Sequence, residues 1–334
     1  MIKLLFIAFS IPGLVGGENT RFCRHKTAAY ICTTMVVQLL ANVQQGDFRA
    51  LARAISYIEN GVHDFAGQLA ANTPGNVPVI GVTGPPGAGK STLVDALIGH
   101  YVQQQKRVAV LCVDPSSSLY HGALLGDRIR MSDWYNHPAV FIRSLATRGS
   151  LGGLHPRIIE ITDLLRLAPF DQILIETVGV GQNEIEIAGL ADTTLVVLAP
   201  EAGDDIQSMK AGLLEVADIF VVNKSDRPDA DLFVRNLRSM QTPAFRREGR
   251  DIPVIKTIAS QKQGIGELAI LIGQAHKKEL SSGKRYRLLA EQAYLLIQYQ
   301  RMKDVDRQEL AAAIEALAKA GNFNLYRFVN DHTT

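Results

Sequence analysis

The sequence predicts an α/β protein: a doubly wound, mostly parallel sheet around a P-loop, with helices before it and a helical segment after it. Three observations carry the prediction. Seven short apolar runs recur between helical patterns: Val77–Thr83, Arg107–Val113, Val140–Ser144, Gln172–Thr177, Thr194–Ala199, Ile219–Asn223 and Pro253–Ile258. Most are continuously apolar rather than alternating, which is how strands buried on both faces of a parallel sheet read. The first run passes through Gly84-Pro85-Pro86-Gly87-Ala88-Gly89-Lys90-Ser91 into a helical start, Ser91–Gly99. A glycine-rich strand-to-helix turn ending in Lys-Ser is the context a phosphate-binding loop requires. In such a sheet, sites lie beyond the strand C-termini.

Four regions follow along the chain: an extension over 1–35, a helical segment over 36–76, the sheet domain over 77–280 and a helical tail over 281–334. Met1–Gly17 has Lys3, an apolar run and no acid before Glu18, a pattern that resembles a short secretory signal. Arg21, Arg24 and Lys26 with few acids fit an organellar presequence instead. A nucleotide-dependent protein needs cytosolic nucleotide, so a cytoplasmic location is expected, or an organellar matrix if the extension is a presequence. The run is too short for a membrane span. Val36–Asn42 and Asp47–Glu59 read as helices, the second with Phe48, Leu51, Ala52, Ile55 and Ile58 on one face. Asp47 is placed to cap it and Asn60-Gly61 to stop it. Ala71–Asn76 reads as the linker into the sheet. After Ser281-Ser282-Gly283, helices are expected over Leu288–Met302 and Gln308–Ala320, with Leu310, Ile314 and Leu317 on one face and Gly321 as the cap of the last.

Composition narrows the function. The 334 residues are 47% hydrophobic and 20% charged, with a net charge of +2, which argues against a nucleic-acid footprint. The basic run Lys277–Arg287 reads as a solvated linker. Cys23, Cys32 and Cys112 show no metal or redox spacing, and Cys112 lies in an apolar run that suits a core position. The histidines show no ligand spacing either.

The chemistry sits at the strand ends. In the phosphate loop, Gly84, Gly87, Ala88 and Gly89 let the backbone wrap phosphates, and the helix N-terminus, with Thr92 in its first turn, adds unpaired N–H groups and a favourable dipole. Lys90 would reach the β- and γ-phosphates and Ser91 would hold Mg²⁺. Asn223-Lys224-Ser225-Asp226 follows an apolar run and has the N-K-x-D form that reads guanine. The Asp226 carboxylate would accept from guanine N1–H and the exocyclic amine, which adenine lacks. Ala259, past the last run, could offer its N–H to guanine O6. Glu176-Thr177-Val178-Gly179 ends another run: Glu176 suits Mg²⁺ or its water shell, and Gly179 a γ-phosphate contact. Asp114, also at a run's end, would orient water or Mg²⁺, or cap the turn before Pro115. Asp127 is a Mg²⁺ candidate on a first switch loop, or an ordinary loop aspartate. Arg128 and Arg130 could neutralise charge or simply be solvated. Arg148–Gly153 is a glycine-rich loop, and Glu201–Lys210 is either a partner-facing switch or a solvated turn. No glutamine stands where small GTPases place their water-orienting residue, so Asp114 or Gln182 is the candidate for that role.

The combination GVTGPPGAGKST, VDPSSS, LLGDRIRM, RGSLGG, ETVGVGQNE, GDDIQSMKAGLLEVAD and NKSD, in that order from about Gly81 to Asp226, resembles the MeaB/ArgK/MMAA family of P-loop GTPases. These serve adenosylcobalamin-dependent methylmalonyl-CoA mutase. The resemblance implies a GTPase core that binds GTP or GDP with Mg²⁺, and slow hydrolysis that gates cofactor loading and protects the mutase. It implies that Asp114, Asp127 and Glu176 are the magnesium-site acids and Asp226 the guanine reader. It also implies that Glu201–Lys210 is a third switch and that the C-terminal helices form a dimerisation arm of a homodimer. The first 35 residues and the short stretch Arg227–Gly249 depart from that pattern. Two other classes compete: a metal-insertion GTPase, which would need Cys/His clusters, and an ATP-dependent kinase of a transport system, which Asp226 argues against.

Overall fold

The computed structural model describes residues 34–61, 65–72, 75–114, 131–147, 154–177, 186–200, 216–241, 251–280, 284–302 and 305–333. Seven strands form one sheet: β1 Val79–Thr83, β2 Val108–Asp114, β3 Val140–Ala146, β4 Gln172–Glu176, β5 Thr193–Leu198, β6 Ile219–Val222 and β7 Val254–Lys256. Each falls within the apolar run that predicted it to within two residues. The order is β3-β2-β4-β1-β5-β6-β7 and every pairing is parallel. β1 is central, with β4 on one side and β5 on the other. The chain leaves β1 for the β2 side and later crosses to β5, so the crevice beyond β1 is the switch point where such sheets bind ligands.

The two-sided burial explains the continuous apolar runs. Along β2, Val108, Val110 and Cys112 face one core cluster, while Ala109, Leu111 and Val113 face another. The first cluster is closed by α4 (Lys90–Gln103) and α7 (Ile265–Leu280). The opposite face is covered by the helix over residues 34–44 (α1), by α2 (Phe48–Glu59), α3 (Phe65–Ala70) and α5 (Ile158–Leu167), and toward β6 by α6 (Ala230–Met240). The N-terminal helices therefore share a core with the sheet. In α2 the predicted stripe holds: Leu51, Ile55 and Ile58 are buried and Phe48 and Ala52 pack at its rim. Its start is set by Asp47, whose carboxylate accepts from the Arg49 N–H at 2.8 Å and the Ala50 N–H at 3.2 Å. Asp47→Ala is expected to cost about 1 kcal/mol, read as a lower denaturant midpoint at unchanged slope.

One helix goes beyond the expectations, and two expectations are corrected. The six-residue helix α3 lies between α2 and the linker, held by buried Phe65 and Leu69. The basic run Lys277–Arg287 is not a plain linker: α7 continues to Leu280 and α8 (Lys284–Met302) begins at Lys284. Lys, Arg, Glu and Leu are all good helix formers, so charge alone gave the wrong reading. Beyond α9 (Arg307–Lys319), Gly321 does turn the chain, with φ +72°, but a further helix, α10 (Leu325–Thr333), follows it. The boundary Ser281-Ser282-Gly283 and the extension through Thr33 lie outside the described residues.

The C-terminal helices touch the sheet domain along one line. Leu296 of α8 packs on the core. Gln292 Nε2 donates to the Gly189 carbonyl at 3.1 Å, and the Arg157 guanidinium lies 5.4 Å from the centre of the Tyr299 ring. Much of their apolar surface stays open, with Tyr286 77%, Tyr294 64% and Tyr326 81% exposed. No described helix is long and apolar enough to cross a membrane.

Candidate functional site

The loop between β1 and α4 occupies the switch point. Gly84 adopts φ +137°, and a Cβ there would stand 2.1 Å from the Val197 carbonyl oxygen of β5. Only glycine lets the backbone turn away from the sheet at that distance. Gly89 adopts φ +89° as the N-cap of α4, with no side-chain cap. Glycine at the N-cap brings no side chain of its own to the first N–H groups of α4, and the first turn carries no acid. That end of the helix is suited to an anion.

Lys90 runs back along the loop and is buried at 6% exposure. Its Nζ donates to the Gly84 carbonyl at 2.9 Å and the Pro85 carbonyl at 3.0 Å. The ammonium is thus held inside the loop where phosphates would lie. Ser91, the next residue, donates from Oγ to Glu176 Oε1 at 2.7 Å, and both side chains are buried. A hydroxyl and a carboxylate converging at a helix N-terminus form an oxygen-rich pair of the kind Mg²⁺ takes. Thr92, in the same turn, is exposed.

Asn223 joins the two halves of the site. It follows β6, is 2% exposed, and its Nδ2 donates to the Ala88 carbonyl at 3.0 Å. Its Oδ1 accepts from the Ala259 N–H at 3.0 Å and from Thr257 Oγ1 at 3.2 Å. One side chain therefore ties the phosphate loop to the loop after β7. The Ala259 N–H, which the sequence offers to guanine O6, donates to Asn223 Oδ1 here. The following turn is fixed by the backbone. Lys224 takes φ +55°, Ser225 donates to the Thr257 carbonyl from both N–H (3.1 Å) and Oγ (3.0 Å), and the Arg227 N–H donates to the Lys224 carbonyl at 3.0 Å. Asp226 sits at the tip of this rigid turn, exposed.

The structure thus brings together Gly84, Gly87, Ala88, Gly89, Lys90, Ser91, Glu176, Asn223 and the Asp226 turn at the C-terminal end of the sheet. Asp114 ends β2, two strands from β1, and its side chain lies outside the described residues. Asp127, Arg128 and Arg130, the loop Arg148–Gly153, Gly179 and Gln182, and the segment Glu201–Lys210 also lie outside them. Among the described residues no group of three or more His, Cys, Asp or Glu comes together. Sequence reading missed the bridging role of Asn223, whose partner is 135 residues away, a separation no local motif encodes. It also missed Trp134, which donates from Nε1 to Asp95 Oδ1 at 2.7 Å and so fastens the chain entering β3 onto α4.

Residues 51–314 match the family model described as methylmalonyl-CoA mutase-associated GTPase MeaB. A putative GTPase of Pyrococcus abyssi is 42% identical over 294 residues, covering 86% of this chain and 89% of its own length. A fused isobutyryl-CoA mutase of Geobacillus kaustophilus is 36% identical over 243 residues, 68% of this chain but 22% of that much longer one. The crystal structure of an LAO/AO transport system kinase is similar in fold, with a TM-score of 0.61, 25% identity, and coverage of 89% of this chain and 96% of that one.

Proposed function

Because this chain belongs to the MeaB family of methylmalonyl-CoA mutase-associated GTPases, we propose that it binds and slowly hydrolyses GTP to control cofactor loading and protection of an adenosylcobalamin-dependent acyl-CoA mutase. The observation that carries the reading is Asn223, which holds the Lys90 loop and the Asp226 turn in one frame. A phosphate loop alone fits any nucleoside triphosphate. A phosphate loop locked to a guanine-reading carboxylate fits GTP. The relative described as a fused isobutyryl-CoA mutase, which carries a stretch similar to this chain, supports an acyl-CoA mutase as the client.

The chain's own groups account for binding and positioning. The α4 N-terminus and Lys90 hold the phosphates, and Asp226 holds the base. When bound, Mg²⁺ would be held by Ser91, with Glu176 behind it and Asp114 and Asp127 as further acids, and would neutralise charge on the β- and γ-phosphates. Gly179 would contact the γ-phosphate, and Gln182 or Asp114 would orient the attacking water. Catalysis is then positioning and charge stabilisation rather than covalent chemistry. The open apolar face of the C-terminal helices suits a dimerisation arm. The protein acts where GTP is available, in the cytoplasm or, if the N-terminal extension is a presequence, in an organellar matrix.

A kinase of a transport system is the second reading, prompted by the likeness in fold to the LAO/AO transport system kinase. Competition between GTP and ATP separates the two. The primary test is steady-state GTP hydrolysis with and without methylmalonyl-CoA mutase and isobutyryl-CoA mutase. A several-fold rise with one of them is expected. Hydrolysis that neither mutase changes would remove the proposed client, and preference for ATP would remove the GTPase itself.

A further inference from the structure

Between the phosphate loop and the segment that follows β4 lies a pair of buried hydroxyls that belongs to neither the phosphate nor the base half of the site. β1 and β4 run parallel in register up to Val82 opposite Glu176. One further backbone bond follows, from the Thr177 N–H to the Val82 carbonyl at 3.0 Å. Among the described residues the ladder ends there, where Gly84 turns into the phosphate loop. The next bond across the gap is made by side chains: Thr177 Oγ1 donates to Thr83 Oγ1 at 2.9 Å. Thr83 is 0% and Thr177 1% exposed, so water does not replace this bond. Both are β-branched, with restricted χ1, so each hydroxyl is held where its backbone puts it.

Position gives the pair its significance. Thr83 immediately precedes Gly84, the first residue of the phosphate loop. Thr177 immediately follows Glu176, which holds Ser91, and stands two residues before Gly179. The bond therefore spans the two chain segments that must converge on the γ-phosphate, at the point where backbone pairing no longer fixes their separation. We propose that Thr83 and Thr177 form a positioning latch that sets the spacing of these two segments for hydrolysis. The pair touches no nucleotide group itself, so it affects turnover more than affinity. The proposal rests on the GTPase reading above.

The burial of the two hydroxyls supplies a discriminating test. Thr is nearly isosteric with Val. Either single change, Thr83→Val or Thr177→Val, leaves one buried hydroxyl without its partner and destabilises the protein. The double change removes both and restores most of the lost melting temperature. A merely structural pair regains activity together with stability. The latch does not: the double variant keeps a kcat for GTP lowered by about tenfold or more, with KM and GDP affinity near those of the parent. Recovery of kcat in the double variant overturns the latch. If the double variant does not fold, Thr177→Ser and Thr177→Cys decide, since they differ chiefly in hydrogen-bond strength. The serine variant is expected to keep the parent kcat and the cysteine variant to lose it, and equal values overturn the proposal. A parent protein that hydrolyses no GTP would instead sink the reading on which the latch rests, so the two failures are distinct.

Discussion

Lys90→Ala is expected to weaken GTP binding by about two to three orders of magnitude. The ammonium is the one cation placed inside the described phosphate loop, and it would make charge-assisted bonds to the β- and γ-phosphates. Two such bonds are worth about 3–4 kcal/mol together, or about two to three decades in Kd. The loss should be larger for GTP than for GDP, which lacks one of the two phosphates. The same Nζ bridges the Gly84 and Pro85 carbonyls, so the variant also loses the tie that keeps the loop closed. Titration with a fluorescent guanine nucleotide measures the affinity. Melting with and without GTP gives an independent reading, because a ligand that binds only the folded state raises the melting temperature by mass action. The GTP-dependent rise expected of the parent should be largely lost in the variant at the same GTP concentration. An unchanged Kd for GTP would overturn the assignment of this loop.

Much of the fold is legible in the sequence because burial on both faces of a parallel sheet leaves a local mark. Val108–Val113 can be nothing but apolar when alternate residues face two separate cores. The phosphate loop is legible for a similar reason: the left-handed turn at Gly89 and the close approach of Gly84 to Val197 demand glycine at fixed offsets from Lys90. Short helices leave no such mark. Among the described side chains α3 buries Phe65 and Leu69 and α10 buries Phe328, too few positions to mark a helix by burial. The basic run around Lys277 misleads because solvated charge is as compatible with an exposed helix as with a linker.

The candidate site divides along the same line. Lys90, Ser91 and Asp226 are found by spacing because each belongs to a contiguous motif. What joins them is long-range and silent in the sequence. Asn223 reads as part of a guanine-binding tetrapeptide, yet its side chain is consumed by Ala88, Thr257 and Ala259. Ala259 reads as a base contact, and its N–H donates to that frame. Thr83 and Thr177, each inconspicuous in its own segment, meet only because β1 and β4 are neighbours in the sheet.

Asp226→Asn tests the base half of the site with little disturbance to the rest. Among the described residues its carboxylate makes no hydrogen bond or ion pair, and the turn that carries it is held by Ser225, Lys224 and Thr257 rather than by Asp226. An exposed change of this kind costs the fold no more than about 0.5 kcal/mol, so a change in binding reports recognition. As guanine reader, the carboxylate would accept from both guanine N1–H and the exocyclic amine. An amide has one oxygen to accept with and presents an N–H₂ to the other donor. GTP affinity is expected to fall about a hundredfold, the scale of losing a hydrogen bond to a charged group and leaving its partner unpaired. ATP affinity should change little, since adenine never used this carboxylate, so discrimination between GTP and ATP collapses from the GTP side. Xanthosine triphosphate supplies the positive control. It carries a carbonyl where guanine carries the amine, so the amide can pair with it, and the variant should bind it more tightly than the parent does. Competition of the three nucleotides against labelled GDP measures all of these at once. Parent-like preference for GTP in the variant would move the guanine reader away from this turn, and with it the reason for preferring a GTPase over an ATP-dependent kinase.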